Sequence, residues 1–288
     1  MSLGRVAIAV MLAATACSSP AQAPPAQAPP ADFGSAVGIF LMDRDGAGVR
    51  ELVAGGNPAW SPDGSLLAFA GSDGVGNVDV YVVDAQGGGG VRLTNALGHD
   101  SVPTWSPDGD RIAFMSDRDG NDEIYAMNSD GSEQTRLTDT PWSDAHPTWS
   151  PDGSRIAFDG GPPGEHDIYL IDPQGGSRNA IVTRPGDQWF PAWSPDGRGI
   201  AYGDATDGRI YLGILDPHGS LGLSVTIADG YAPRWSPGQR ILFLHGGDLF
   251  SVRPTGLHMK RLTTTPEEEG AADWAPGGAV IAFARVAA

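Results

Sequence analysis

Short apolar runs alternate with turn-forming polar segments along most of this chain, and within the runs the pattern has a period of two. The clearest run pairs a large aliphatic residue with an aromatic one across a small residue. It recurs as Leu67 and Phe69, Ile112 and Phe114, Ile156 and Phe158, Ile200 and Tyr202, Ile241 and Phe243, and Ile281 and Phe283, mostly with alanine between, as at Ala113 and Ala157. Runs this short, with that period, predict strands packed on both faces. A second run starts polar, then apolar, then aromatic, as in Asp79-Val80-Tyr81, Glu123-Ile124-Tyr125, Asp167-Ile168-Tyr169 and Asp248-Leu249-Phe250. A third reads Arg92-Leu93-Thr94, Arg136-Leu137-Thr138 and Arg261-Leu262-Thr263. Between them stand turns such as Asp172-Pro173-Gln174-Gly175.

The runs belong to one repeat. Tryptophans stand at Trp60, Trp105, Trp149, Trp193, Trp235 and Trp274, spaced by 45, 44, 44, 42 and 39 residues. That is the length of a four-stranded propeller blade. After the first four tryptophans comes Ser-Pro-Asp-Gly, where proline presets φ, aspartate caps its own backbone and glycine accepts positive φ. The last unit stops after its second strand. The segment Ile39-Phe40-Leu41-Met42-Asp43, with Arg50-Glu51-Leu52-Val53, supplies a third and a fourth strand that lack a first and a second. The prediction is an all-β, six-bladed β-propeller, its last blade closed by two C-terminal and two N-terminal strands, with no open sheet edge left between the ends.

These residues closely resemble the WD40-like repeat of the TolB C-terminal propeller, over residues 33–288. TolB-like proteins join such a propeller to an N-terminal α/β domain, and related propellers precede the hydrolase domain of prolyl-oligopeptidase-like peptidases. Neither domain is expected within this sequence. The resemblance implies protein partners in the cell envelope, such as another lipoprotein or a peptidoglycan-associated protein. The later repeats depart from the pattern, with Ser236-Pro237-Gly238-Gln239 after Trp235, Ala275-Pro276-Gly277-Gly278 after Trp274, and no Leu-Thr near Val225-Thr226-Ile227.

Composition narrows the class further. The formal charge is −17, which argues against a nucleic-acid partner and suits cationic ones. There is one cysteine, Cys17, so neither an internal disulfide nor a multi-thiolate zinc site is possible. Residues 1–16 read as a signal peptide, with Arg5 ahead of an apolar stretch from Val6 to Ala14 that is short for a membrane span. Ala14-Thr15-Ala16-Cys17-Ser18 resembles a bacterial lipobox, although Ala14 stands where leucine is more usual. The resemblance implies cleavage before Cys17 and lipid attachment to it. An ordinary secretory peptide with an incidental cysteine is the alternative. Residues 17–32, rich in proline and alanine, read as an extended tether. The expected product is an exported monomer, held on the periplasmic or extracellular face of a bacterial membrane by the lipid anchor alone.

Propellers bind at one end of the central channel, where the loops into the first strands meet those joining strands two and three. The position five residues before each repeat tryptophan reads Gly55, Asp100, Asp144, Gln188, Gly230 and Glu269, and is expected near that mouth. His99, His146 and Asp187 stand beside it, as do the two tryptophans outside the repeat, Trp142 and Trp189, with Phe190. The binding candidates are therefore His99, Asp100, Trp142, Asp144, His146, Asp187, Gln188, Trp189 and Phe190. Aromatic rings with convergent polar groups suit a binding surface. The same residues could instead cover the blade tops and cap loop amides. The repeat tryptophans and the turn serines Ser106 and Ser150 read as structural. Asp117-Arg118-Asp119-Gly120-Asn121-Asp122-Glu123 offers oxygens for calcium but lacks EF-hand spacing, and reads as a solvated turn. A transition-metal site from His99 and His146 is conceivable. No catalytic motif, cofactor or metal site is expected. The leading expectation is a non-catalytic scaffold for an envelope protein, and a cell-wall glycan is the other partner class considered. A lyase-like or glycan-binding propeller acting at the channel mouth is the alternative, and a sensor ectodomain is a third.

Overall fold

The computed structural model describes residues 36–286 apart from 73, 75, 217 and 218. The expected signal peptide, Cys17 and the tether lie outside the described residues. Those residues form twenty-four strands and no helix, in six antiparallel sheets of four. Five sheets are continuous in sequence. The sixth has the order Arg50–Val53, Ala36–Asp43, Val280–Val286, Glu269–Trp274. Its two halves join with Phe40 opposite Phe283 and Met42 opposite Ile281. The ring closes as the unpaired half-blades require.

The period-two runs explain how each blade is buried. Ile112, Ala113 and Phe114 are all fully buried, as are Ile156, Ala157 and Phe158, because blades pack on both faces of the second strand. In every blade the aromatic residue of strand two stands directly opposite one on strand three. The pairs are Phe69 with Tyr81, Phe114 with Tyr125, Phe158 with Tyr169, Tyr202 with Tyr211, Phe243 with Phe250, and Phe283 with Phe40. Their ring centroids lie 5.6–5.8 Å apart. Cross-strand aromatic pairs of this kind are among the stabilising contacts of a sheet.

The repeat tryptophans pack between blades. Trp105 joins Ala59, Ala68 and Val80 of the preceding blade to Ile112 and Phe114 of its own, and its indole N–H donates to the Ala59 carbonyl at 3.2 Å. The turn after each tryptophan works as its residues imply. In the first, the Ser61 hydroxyl donates to Asp63 at 2.6 Å and accepts from the Leu66 amide, while Gly64 takes a positive φ of 72°. These bonds, chiefly that from Ser61, hold the Asp63 carboxyl down at about 2. In the shortened fifth turn Gln239 takes the positive φ that glycine holds elsewhere.

The Arg-Leu-Thr run ties strand four to strand three. Glu123, fully buried, pairs with Arg136 at 2.8 Å and accepts from Thr138 at 2.5 Å, and that hydroxyl also accepts from the Ile124 amide at 2.9 Å. Asp79 with Arg92 and Thr94, and Asp248 with Arg261 and Thr263, repeat the arrangement.

Candidate functional site

The inner strand of each blade carries an irregularity that decides which side chains reach the channel mouth. Its register with strand two shifts between the fourth and the first residue before the tryptophan in five blades, and between the fifth and the second in the closing blade. Three residues before the tryptophan, Asn57, Val102, His146, Phe190 and Ala232 take φ of 51–55°. This is a β-bulge with a non-glycine residue in the left-handed region. Such bulges re-aim side chains, and a valine there is a strained choice. Proline follows at Pro58, Pro103, Pro147, Pro191 and Pro233. It has no N–H to lose and is tolerated in strands mainly at edges and bulges.

The position five before the tryptophan does not ring the opening. Asp100, Asp144, Gln188 and Glu269 are at most 3% exposed. Asp100 pairs with Arg118 at 2.7 Å and accepts from Ser116, Asp144 pairs with Arg178 at 2.7 Å, and Glu269 pairs with Arg285 at 3.1 Å. Each of these arginines also lies over an aromatic ring of its own blade, Arg118 over Tyr125, Arg178 over Tyr169 and Arg285 over Phe40. Gln188 donates to the Gly186 carbonyl and accepts from the Arg184 amide. In blades one and five the position is glycine at φ near 145°. A Cβ on Gly55 or Gly230 would strike the carbonyl of Ala70 or Leu244 and the ring of Phe69 or Phe243. These positions hold the blades together.

The mouth itself is a cavity of about 760 Å³ lined chiefly by residues of blades one to four, with Val53 of the closing blade. The bulge residues Asn57, Val102, His146 and Phe190 line it, together with His99 and Trp189. So do Asp117 and Asp122 of the acidic turn, and Asp159 and His166, which were not among the candidates, with Phe69, Tyr81 and Met115. Asp159 is the centre of the polar part. It is 1% exposed, with Oδ1 2.8 Å from Nδ1 of His146 and accepting from the Phe190 amide at 2.9 Å. The His146 ring lies against Phe190 with centroids 3.9 Å apart. Nδ1 of His166 is 3.7 Å from Asp159 Oδ2, beyond hydrogen-bond reach, and that nitrogen is buried without a partner. Burial pushes the Asp159 carboxyl up, but the imidazoles and the Phe190 amide outweigh it and hold it below the ordinary range. Burial pulls His166 down, yet the carboxylate of Asp159, with those of Asp187 and Asp144, holds its imidazole above the ordinary range. Asp122 is pushed up, by burial and then by the like charge of Asp117, against a bond from Ser143.

The remaining candidates sit apart. The Trp142 ring is 44% exposed and lies outside the cavity lining, while its carbonyl accepts from Asn121 at 2.7 Å. Asp187 accepts from the His166 amide at 2.9 Å, and Asp117 from the His99 amide at 2.6 Å. In the acidic turn, Arg118 is taken by Asp100, Asp119 accepts from the Tyr125 hydroxyl, and Asn121 bonds the carbonyls of Thr140 and Trp142. Among the described residues no group of three or more histidine, cysteine or acidic side chains is placed to hold a metal ion.

Asp159 had a signal in the sequence. The residue after the strand-two aromatic is Ala70, Met115, Gly203, Leu244 or Ala284 in the other blades, and the acid in blade three breaks that run.

A family model of the TolB beta propeller domain matches residues 48–146 and 138–288. The chain belongs to the TolB β-propeller family. A 57-residue stretch is 44% identical to the uncharacterized peptidase YuxL of Bacillus subtilis, covering 19% of this chain and 8% of that protein. A 56-residue stretch is 39% identical to the Tol-Pal system protein TolB of Francisella tularensis, covering 19% of this chain and 13% of that protein. The matches thus span far less than two thirds of these curated relatives. Among solved structures, a putative TolB from Agrobacterium tumefaciens aligns with a TM-score of 0.72 at 22% identity, over 87% of this chain and 98% of that one. This likeness shows that the TolB-like chain shares the whole propeller fold.

Proposed function

We propose that the chain is a non-catalytic envelope lipoprotein whose propeller binds a protein partner in the cavity at its channel mouth. In this reading residues 1–16 are the export signal, Cys17 carries the lipid, residues 17–32 are the tether, and residues 33–288 are the binding domain. The observation that carries the proposal is the cavity itself. It is large enough for several side chains, walled by Trp189, Phe190, Phe69 and Tyr81, and has polar groups gathered at Asp159. Family membership supports a scaffold role, and the name of the Francisella relative, a Tol-Pal system protein, supports an envelope partner.

The cavity is less suited to catalysis. One acid, Asp159, lies within hydrogen-bond reach of His146, and its same oxygen is also taken by the Phe190 amide. The turn serine hydroxyls, such as that of Ser106, donate to the aspartate of their own turn. A glycan reading is favoured by Trp189 alone, whose partly exposed ring borders the cavity.

The test uses the full chain carrying Cys17→Ser, incubated separately with solubilised envelope proteins and with purified cell-wall glycan strands. Specific retention of one envelope protein, lost on Trp189→Ala, is the expected result. Retention of glycan instead, or its shortening, overturns the scaffold reading in favour of carbohydrate binding or cleavage.

A further inference from the structure

The acids of the blades and those of the mouth differ in their partners. In the blades, Asp79, Asp100, Glu123, Asp144, Asp248 and Glu269 each pair with an arginine at 2.6–3.1 Å. At the mouth, none of Asp117, Asp122 and Asp159 forms an ion pair with a lysine or arginine among the described residues, and no lysine or arginine lines the cavity. The charge of Arg234, on the inner strand of blade five, faces Asp159 from a distance without pairing with it. Asp159 is 1% exposed, its Oδ1 is engaged by His146 and the Phe190 amide, and its Oδ2 lies 3.7 Å from Nδ1 of His166. That nitrogen is itself buried with no hydrogen-bond partner. A buried carboxylate served by imidazoles but paired with no lysine or arginine, beside a ring nitrogen that lacks a partner, can take a further donor from an occupant of the cavity.

Trp189 and Phe190 line the same cavity, the Phe190 amide bonding Asp159 and the Trp189 ring lying 6.5 Å from that of His166. Aromatic rings accept both the methylene stem and the charged head of a long cationic side chain. The chain as a whole carries a formal charge of −17, which attracts such a group from a distance.

We infer that the mouth cavity selects a partner segment presenting a lysine or arginine side chain, with its charged head at Asp159 Oδ2 and Asp122 and its stem along Trp189 and Phe190. The inference rests on the scaffold reading above and names the chemistry of the occupant.

The experiment displays random heptapeptides against the full chain carrying Cys17→Ser and selects those displaced by competition in the parent but not bound by Trp189→Ala. The enriched peptides are then remade with norleucine for lysine, or citrulline for arginine, and titrated against the parent, Asp159→Asn and Asp122→Asn. Enrichment of lysine or arginine at one position is expected, with affinity lowered at least tenfold by the uncharged replacement and by either aspartate change. Asp122→Asn guards against a folding defect in Asp159→Asn, because the half-buried Asp122 side chain bonds the loop residue Ser143 and its backbone bond to Asp144 is kept. Cavity-dependent peptides that lack a cation, or that bind Asp122→Asn and Asp159→Asn like the parent, overturn the inference and leave the scaffold reading standing. Absence of any peptide that depends on Trp189 overturns both.

Discussion

Replacing Arg178 with methionine separates a structural acid from a binding one. Asp144, a binding candidate by its sequence position, is fully buried, with one oxygen 2.7 Å from Arg178 and the other without a partner. Burial raises its carboxyl to about 6, with Arg178 pulling against that rise. Methionine keeps the stem against Tyr169 and removes the charge. Removing one partner of a buried pair costs about 3–5 kcal/mol. Arg178 is a quarter exposed, so the lower end applies, about 3 kcal/mol near pH 8. For a chain of this size that lowers Tm by roughly 6–12 °C.

The pH dependence carries the sign of the argument. A carboxyl whose pKa is higher folded than unfolded makes the native state bind the proton first. Stability then falls as pH rises from the unfolded value, 3.8, through the folded value, about 6. Without Arg178 the folded value rises further, so the loss of stability continues to higher pH. The penalty is therefore largest at pH 8 and shrinks at pH 5 toward about 1 kcal/mol, the part due to losing the guanidinium over Tyr169 at 4.1 Å. Circular-dichroism melts at both pH values, with Asp144→Asn and the double variant alongside, provide the assay. A penalty below about 1 kcal/mol at pH 8, or one equal at the two pH values, refutes the reasoning.

Other interactions give simpler expectations. Thr138→Val removes a hydroxyl shared by Glu123 and the Ile124 amide and should cost about 1–3 kcal/mol in urea unfolding, where a value near zero would deny the strand-four latch. Trp105→Ala should cost about 3–5 kcal/mol by the same measurement, since the ring fills the joint between blades one and two. Gly230→Ala sets a Cβ 2.5 Å from the Leu244 carbonyl at a φ of 142°, and should destabilise by more than about 1 kcal/mol, whereas Gly222→Ala, with ordinary space and no positive φ, should be tolerated.

The fold was legible because its causes are local and repeated. The tryptophan period set the blade length, and the unpaired half-blades at Ile39 and Trp274 required closure. The Ser-Pro-Asp-Gly turns formed as their residues dictate. The site was legible only in part. The residue five before the tryptophan was expected at the mouth because the loops entering the first strands gather there. Asp100, Asp144 and Glu269 instead turn inward to arginines of their own blades, while the bulge residues His146 and Phe190 line the cavity. The prolines at Pro147 and Pro191 marked the bulge, and the lone acid Asp159 in an apolar series marked the polar centre. The pairing of each acid with its arginine was not legible, because Asp144 and Arg178 are 34 residues apart and meet only through strand register.

The account stands on the cavity at the channel mouth being where a partner binds, and Trp142 and Trp189 test this most directly. Both are tryptophans in loops or strand starts at the top of the ring, but Trp189 lines the cavity and Trp142 does not. The measurement is calorimetric titration of the envelope protein retained by the parent chain against Trp189→Ala and Trp142→Ala. The account predicts that Trp189→Ala weakens binding at least tenfold while Trp142→Ala leaves it within about twofold. Unchanged binding to Trp189→Ala, or a loss confined to Trp142→Ala, would contradict it and place the contact on the outer loops.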